Sequence, residues 1–79
     1  MNIVFDLDKI TARQMGTFLK ATSENDLEAI AATLALVVKE CPAEWGDPSN
    51  PETYINLPYF GGFQATIQEL IEESKKYTN

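Results

Sequence analysis

A chain of 79 residues, 44% hydrophobic and 23% charged, has room for one hydrophobic core and no second one. Twelve acidic residues against six basic ones give a formal charge of −6, which disfavours direct binding to nucleic-acid phosphates or anionic lipid and favours a basic protein surface as partner. Histidine is absent, which removes the commonest general base and transition-metal ligand, and the single cysteine, Cys41, excludes an intramolecular disulfide.

The run Asn2-Ile3-Val4-Phe5-Asp6-Leu7-Asp8 carries β-branched and aromatic residues in partial alternation, Phe5 and Leu7 against Asp6 and Asp8. It predicts a short strand or extended arm. A lone strand is expected to lie along the helices or to pair with the edge of another chain. Thr11 with Gln14 three residues on is a capping-box signal, and Met15, Phe18, Leu19 and Thr22 continue it at helical spacing, so a first helix is predicted over about 11–22. Gly16 inside it costs roughly 1 kcal/mol relative to alanine, which implies close contact with a neighbouring element.

Ser23 or Asn25 can cap a second helix, and Glu24, Asp26 and Glu28 place negative charge at its positive end. Leu27, Ile30, Leu34, Val37 and Val38 form its apolar stripe. It is expected to stop near Glu40, because Pro42 disfavours helical geometry at Cys41. The longest apolar stretch, Ala29 to Val38, is interrupted by Thr33 and is too short to cross a bilayer.

Between Cys41 and Pro58 lie all four prolines, Gly46 and Trp45. This predicts a structured loop anchored by Trp45, Tyr54, Ile55 and Leu57, with Asn50-Pro51 starting one short helical turn. A last helix is predicted over about 58–76, with Phe60, Phe63, Ile67, Leu70, Ile71 and Ser74 on one face and Lys75 and Lys76 at its negative end. Gly61 and Gly62 make its first turns irregular or admit another backbone. The whole chain, 1–79, therefore reads as one helical interaction domain: mostly α, a small three-helix bundle with a short N-terminal strand or extended arm.

Ile3-Val4-Phe5-Asp6-Leu7-Asp8 resembles the nucleophile motif of haloacid-dehalogenase-type phosphatases, but Lys9-Ile10-Thr11 departs from that pattern at once. That chemistry also needs a parallel sheet bearing a lysine and further carboxylates, for which the chain has neither the βαβ pattern nor the length. Cys41 has no histidine to activate it and is expected to pack in the loop or core. Glu69, Glu72 and Glu73, at i, i+3 and i+4, read as a solvated helix face partly neutralised by Lys75 and Lys76, or as a cation site or partner-facing patch. No catalytic residue, metal ligand or cofactor is assigned. Trp45, Tyr54, Tyr59 and Phe60 are the candidate partner-binding residues, since aromatic side chains dominate interface hot spots. The competing role for them is to close one end of a small core.

The arrangement as a whole resembles the small tail assembly chaperones of long-tailed bacteriophages. The likeness covers nearly the full chain and rests on size, acidity and layout. Its features are the extended start with Asp6 and Asp8, the Asp26-Leu27-Glu28-Ala29-Ile30-Ala31 helix start, the Glu44-Trp45-Gly46-Asp47-Pro48 loop, Pro51-Glu52-Thr53-Tyr54, Leu57-Pro58, and a closing amphipathic helix.

The resemblance implies a non-enzymatic protein that coats the helical tape measure protein, shields its apolar surface and helps recruit the tail tube protein. It also implies a longer frameshifted version, and the adjacent lysines Lys75-Lys76 after Ser74 mark where a slippery codon run would be expected. The expected partner is then a tape measure-like helical protein in the host cytoplasm, with no direct nucleic acid and no membrane, and with homo-oligomer formation among the expected states. The alternative is a small acidic inhibitor of anti-defence type that occupies the basic groove of a host nuclease or effector. The charge of −6 favours it, while the spread of acidic residues along the chain does not.

Overall fold

The structure, a computed structural model, describes residues 3–78, so Asn2, where the predicted strand begins, lies outside the described residues. It is mostly helical, with four helices and a two-stranded antiparallel sheet among those residues. β1 (Val4–Phe5) leads through a 3-10 turn at Leu7–Lys9 into α1 (Ala12–Glu24), then α2 (Leu27–Val37) and β2 (Val38–Glu40). A 3-10 turn at Ala43–Trp45, the short α3 (Pro51–Ile55), a π-helical turn at Tyr59–Phe63 and α4 (Gln64–Thr78) complete it.

The predicted capping box is formed. The Gln14 backbone N–H donates to Thr11 Oγ1 at 3.1 Å, and the Thr11 N–H donates to Gln14 Oε1 at 3.0 Å. At the other end of α1, Asn25 adopts the left-handed conformation, φ 55°, and its N–H reaches the carbonyls of Ala21 and Thr22. Asparagine tolerates that region better than most residues. Asn25 therefore closes α1, and the cap of α2 is neither Ser23 nor Asn25 but Asp26, whose carboxylate accepts from the Ala29 N–H at 3.2 Å. Two residues suffice to reverse the chain.

α2 ends three residues earlier than its periodicity predicts. Val38, Lys39 and Glu40 leave the helix and pair with β1, Val4 opposite Glu40 and Phe5 opposite Val38. β-branched Val37-Val38 suits an extended exit, and the Asp6 N–H donates to the Val37 carbonyl at 2.7 Å, satisfying an acceptor that the helix end leaves open. The N-terminal segment thus finds its partner strand within its own chain.

The core is Phe18 and Ala21 of α1, Ile30, Ala31, Leu34 and Val37 of α2, Val38, Tyr54, Phe63 and Leu70. Leu27 and Ile67, expected inside, lie half-buried at its margin. Leu19 and Ile71 lie on the outside instead, 59% and 41% exposed. The fourth helix is the turn predicted at Asn50-Pro51: the Asn50 side chain accepts from the Glu52 N–H at 3.0 Å, Pro51 occupies the first turn, and α3 packs on α2. No helix among the described residues is long and apolar enough to cross a membrane.

The glycines at 16 and 62 serve opposite purposes. A Cβ at Gly16 would meet nothing within 4 Å, so the predicted close contact there is absent. A Cβ at Gly62 would lie 2.9 Å from Leu57 Cβ, so this glycine lets the π turn approach the preceding segment. Gly16→Ala is accordingly expected to stabilise the fold by about 0.5–1 kcal/mol. Gly62→Ala is expected to destabilise it by about 1–3 kcal/mol through overpacking. Urea unfolding midpoints should move in opposite directions; movement in the same direction would contradict this assignment.

Candidate protein-binding surface

The four aromatic candidates divide into two inside and two outside. Tyr54 is fully buried, and its phenolic O–H donates to the Pro48 carbonyl. Its assignment to a partner surface is therefore corrected: it is a core residue that joins α3 to α2 and ties down the loop before it. Burial raises its ionisation above the ordinary tyrosine range, and Cys41 and Asp47 add to the effect. Trp45 is half-buried against the core in the 3-10 turn, where its backbone N–H donates to the Pro42 carbonyl at 2.9 Å.

The loop between them is closed by its own polar groups. Asp47 Oδ1 accepts from the Ser49 N–H at 2.9 Å and from Ser49 Oγ at 2.7 Å, which holds the Asp47 carboxyl below the usual carboxylate range. Thr53 Oγ1 donates to the Asp47 carbonyl at 2.6 Å, and Cys41 Sγ lies 3.6 Å from the Gly46 carbonyl. Burial, Asp47 and Glu44 all raise the Cys41 ionisation, so the thiol form is favoured over the nucleophilic thiolate.

Tyr59 and Phe60 are on the outside, 44% and 79% exposed. The reason is the π turn. The N–H groups of Gly62 and Phe63 both donate to the Pro58 carbonyl, at 2.9 and 3.0 Å, and the Gln64 N–H reaches back to the Tyr59 carbonyl. An i→i+5 step accommodates an extra residue per turn, which breaks the α-helical spacing that placed Phe60 on one face with Phe63 and Ile67. Tyr59 stacks on buried Phe63, with centroids 6.1 Å apart and planes at 23°, and meets Phe60 edge-on at 5.0 Å and 85°. Three rings therefore run from the core to solvent, ending at Phe60. Thr66 Oγ1, buried, fixes the turn from below by donating to the Gly62 carbonyl at 2.7 Å.

A second surface feature escaped sequence reasoning. α1 and α2 leave a groove of 170 Å³ lined by Gln14, Thr17, Ala29, Ala32, Thr33 and Leu36, with Leu36 49% exposed. Only the small side chains at 29 and 32 hinted at it. Asp6 pairs with Lys9 at 3.7 Å, Glu72 with Lys75 at 3.3 Å and Glu73 with Lys76 at 3.0 Å. Among the described residues, no group of three or more histidine, cysteine, aspartate or glutamate side chains is placed to hold a metal ion.

Comparison with known proteins found no matching family model, no matching curated protein and no matching solved structure.

Proposed function

We propose that this chain is a non-enzymatic protein-binding subunit, of the kind represented by the phage tail assembly chaperones it resembles, and that Tyr59 and Phe60 anchor an apolar helical partner. The observation that carries this reading is Phe60, a large apolar ring 79% exposed on a turn fixed from the core side. A large aromatic ring left in water adds little to folding and has its apolar area free to be buried on binding. Masking an apolar helix stoichiometrically requires such an anchor and no catalytic group. The charge of −6 favours a partner that carries basic residues beside its apolar stripe.

Co-expression with a long apolar helical protein of the tape-measure type provides the test. The partner is expected to stay soluble and to co-purify with this chain, and to precipitate with the Phe60→Ala variant. A partner equally insoluble with and without this chain would refute the chaperone reading. The acidic-inhibitor reading is favoured by the charge alone and makes a different forecast: capture of a basic effector that fades with added salt and is indifferent to Phe60→Ala.

A further inference from the structure

We infer that the groove between α1 and α2 is a docking site for one helix of a partner protein, which lays an apolar residue against Leu36 and a lysine or arginine against Glu24 and Asp26. This rests on the reading of the chain as a protein-binding subunit and adds a surface that does not involve Phe60. The groove of 170 Å³ does not end at Thr17 and Ala29. Those two residues also line an adjoining cavity of 250 Å³, whose other walls are Lys20, Ala21, Glu24 and Asp26. The lining residues therefore run at steps of three and four from Gln14 to Glu24 on one side and from Asp26 to Leu36 on the other, about 15 Å of axis. Among the described residues, none from α3 or α4 lines either cavity. A straight trough between two helices fits a third helix, and the small side chains of Ala29 and Ala32 let its axis approach closely.

The two ends of the trough differ in chemistry. At one end Leu36 is 49% exposed, and the hydroxyls of Thr17 and Thr33 donate to the Arg13 and Ala29 carbonyls of their own helices, at 3.1 Å each. Neither threonine calls for a polar ligand. At the other end Lys20, Glu24 and Asp26 are all exposed, and none of them forms an ion pair among the described residues. Asp26 gives one carboxylate oxygen to the Ala29 N–H and keeps the other for a cation. Two carboxylates open to solvent, beside one ammonium, favour a cationic side chain. Anionic lipid and nucleic acid are repelled by the same groups, and a second copy brings its own charge of −6. A basic amphipathic helix matches both ends at once.

The probe is a synthetic helical peptide of about 18 residues, longer than the trough by roughly a turn at each end. It has leucines at i, i+3 and i+4 in one half and lysines on the same face in the other, and its counterpart carries glutamate in place of lysine. Binding is followed by fluorescence anisotropy, and the mass of the complex by sedimentation. Wild type is expected to bind the lysine peptide one to one, and the glutamate peptide at least about tenfold more weakly. Ala32→Gln, which fills the trough with an uncharged helix former, should weaken lysine-peptide binding at least about tenfold with little change in melting temperature. Glu24→Gln with Asp26→Asn, in which asparagine keeps the cap, should weaken it about three- to tenfold. Glu40→Gln with Glu44→Gln, the same charge change outside the trough, should weaken it less than about twofold, and Phe60→Ala should leave it unchanged.

Equal losses for the two double variants would reduce the binding to bulk charge and overturn the inference, as would wild type binding neither peptide or both alike. A wild-type dimer that Ala32→Gln abolishes would assign the trough to a second copy and overturn it too. Loss with Phe60→Ala and none with Ala32→Gln would overturn it while leaving Phe60 as the anchor. Loss with Ala32→Gln and none with Phe60→Ala upholds it, whatever co-expression shows for Phe60. If Ala32→Gln melts early, the two double variants decide.

Discussion

Replacing Tyr54 with alanine is expected to leave the chain unfolded, or close to it, at 25 °C. Tyr54 is the largest fully buried side chain, and its hydroxyl is the donor for the Pro48 carbonyl. Removing a buried aromatic ring costs about 3–5 kcal/mol, and a lost hydrogen bond about 1 kcal/mol more. A domain of this length has roughly 4–12 kcal/mol in all, so the loss is comparable with the total. Tyr54→Phe separates the two contributions. It keeps the ring and forfeits only the donor, so the expected loss is about 1–2 kcal/mol and the fold survives.

The same pair of proteins has a pH signature. Tyr54 is neutral when folded and its ionisation is raised there, whereas in the unfolded chain it titrates near about 10. Above that value the folded chain holds a proton that the unfolded chain releases, so unfolding becomes easier as pH rises. The contribution is fully present below about pH 10 and is lost above it. In urea unfolding, wild type should exceed Tyr54→Phe by a constant margin from about pH 7 to about pH 9, and the margin should shrink toward about pH 11. A margin independent of pH would show that the hydroxyl is not buried as described.

Features that depend on neighbouring residues were legible before the fold was known. Thr11 and Gln14 meet across three residues and Asn50 caps across two, so their chemistry needs no tertiary information. Most of the α2 stripe is core for the same reason, since i, i+3 and i+4 fix a face whatever lies against it. What failed was non-local. Val38 is buried whether it belongs to a helix or a strand, so hydrophobicity could not reveal that it pairs with Phe5, thirty-three positions away. Asn25 and Asp26 are both good caps, and only the left-handed backbone at Asn25 assigns one to each helix.

The candidate site illustrates the limit more sharply. Tyr54 and Tyr59 are the same residue type at the edges of the same loop, yet one is sealed in the core and the other is 44% exposed. The difference is made by α2, against which α3 packs, and is invisible in composition. Phe60 erred in its setting for a geometric reason. Counting in steps of 3.6 residues carried it onto the face of Phe63 and Ile67, but Pro58 and the two glycines admit a wider turn that leaves it in solvent.

Phe60→Ala is the substitution from which the largest functional loss is expected. An aromatic anchor that becomes buried on binding contributes about 2 kcal/mol or more, or roughly a thirtyfold loss of affinity when truncated. Folding should lose less than binding does. Phe60 is 79% exposed, and its one recorded ring contact is the edge of Tyr59 at 5.0 Å; such a contact contributes about 0.5–1.5 kcal/mol at most. Tyr59→Ala should behave differently, lowering affinity and melting temperature together, because Tyr59 also stacks on Phe63 in the core. Affinity for the co-expressed helical partner and thermal unfolding of the free chain, measured for both variants, distinguish the roles. If Phe60→Ala melts well below wild type while its folded fraction binds with undiminished affinity, the ring is a structural prop, and the proposed function loses its anchor.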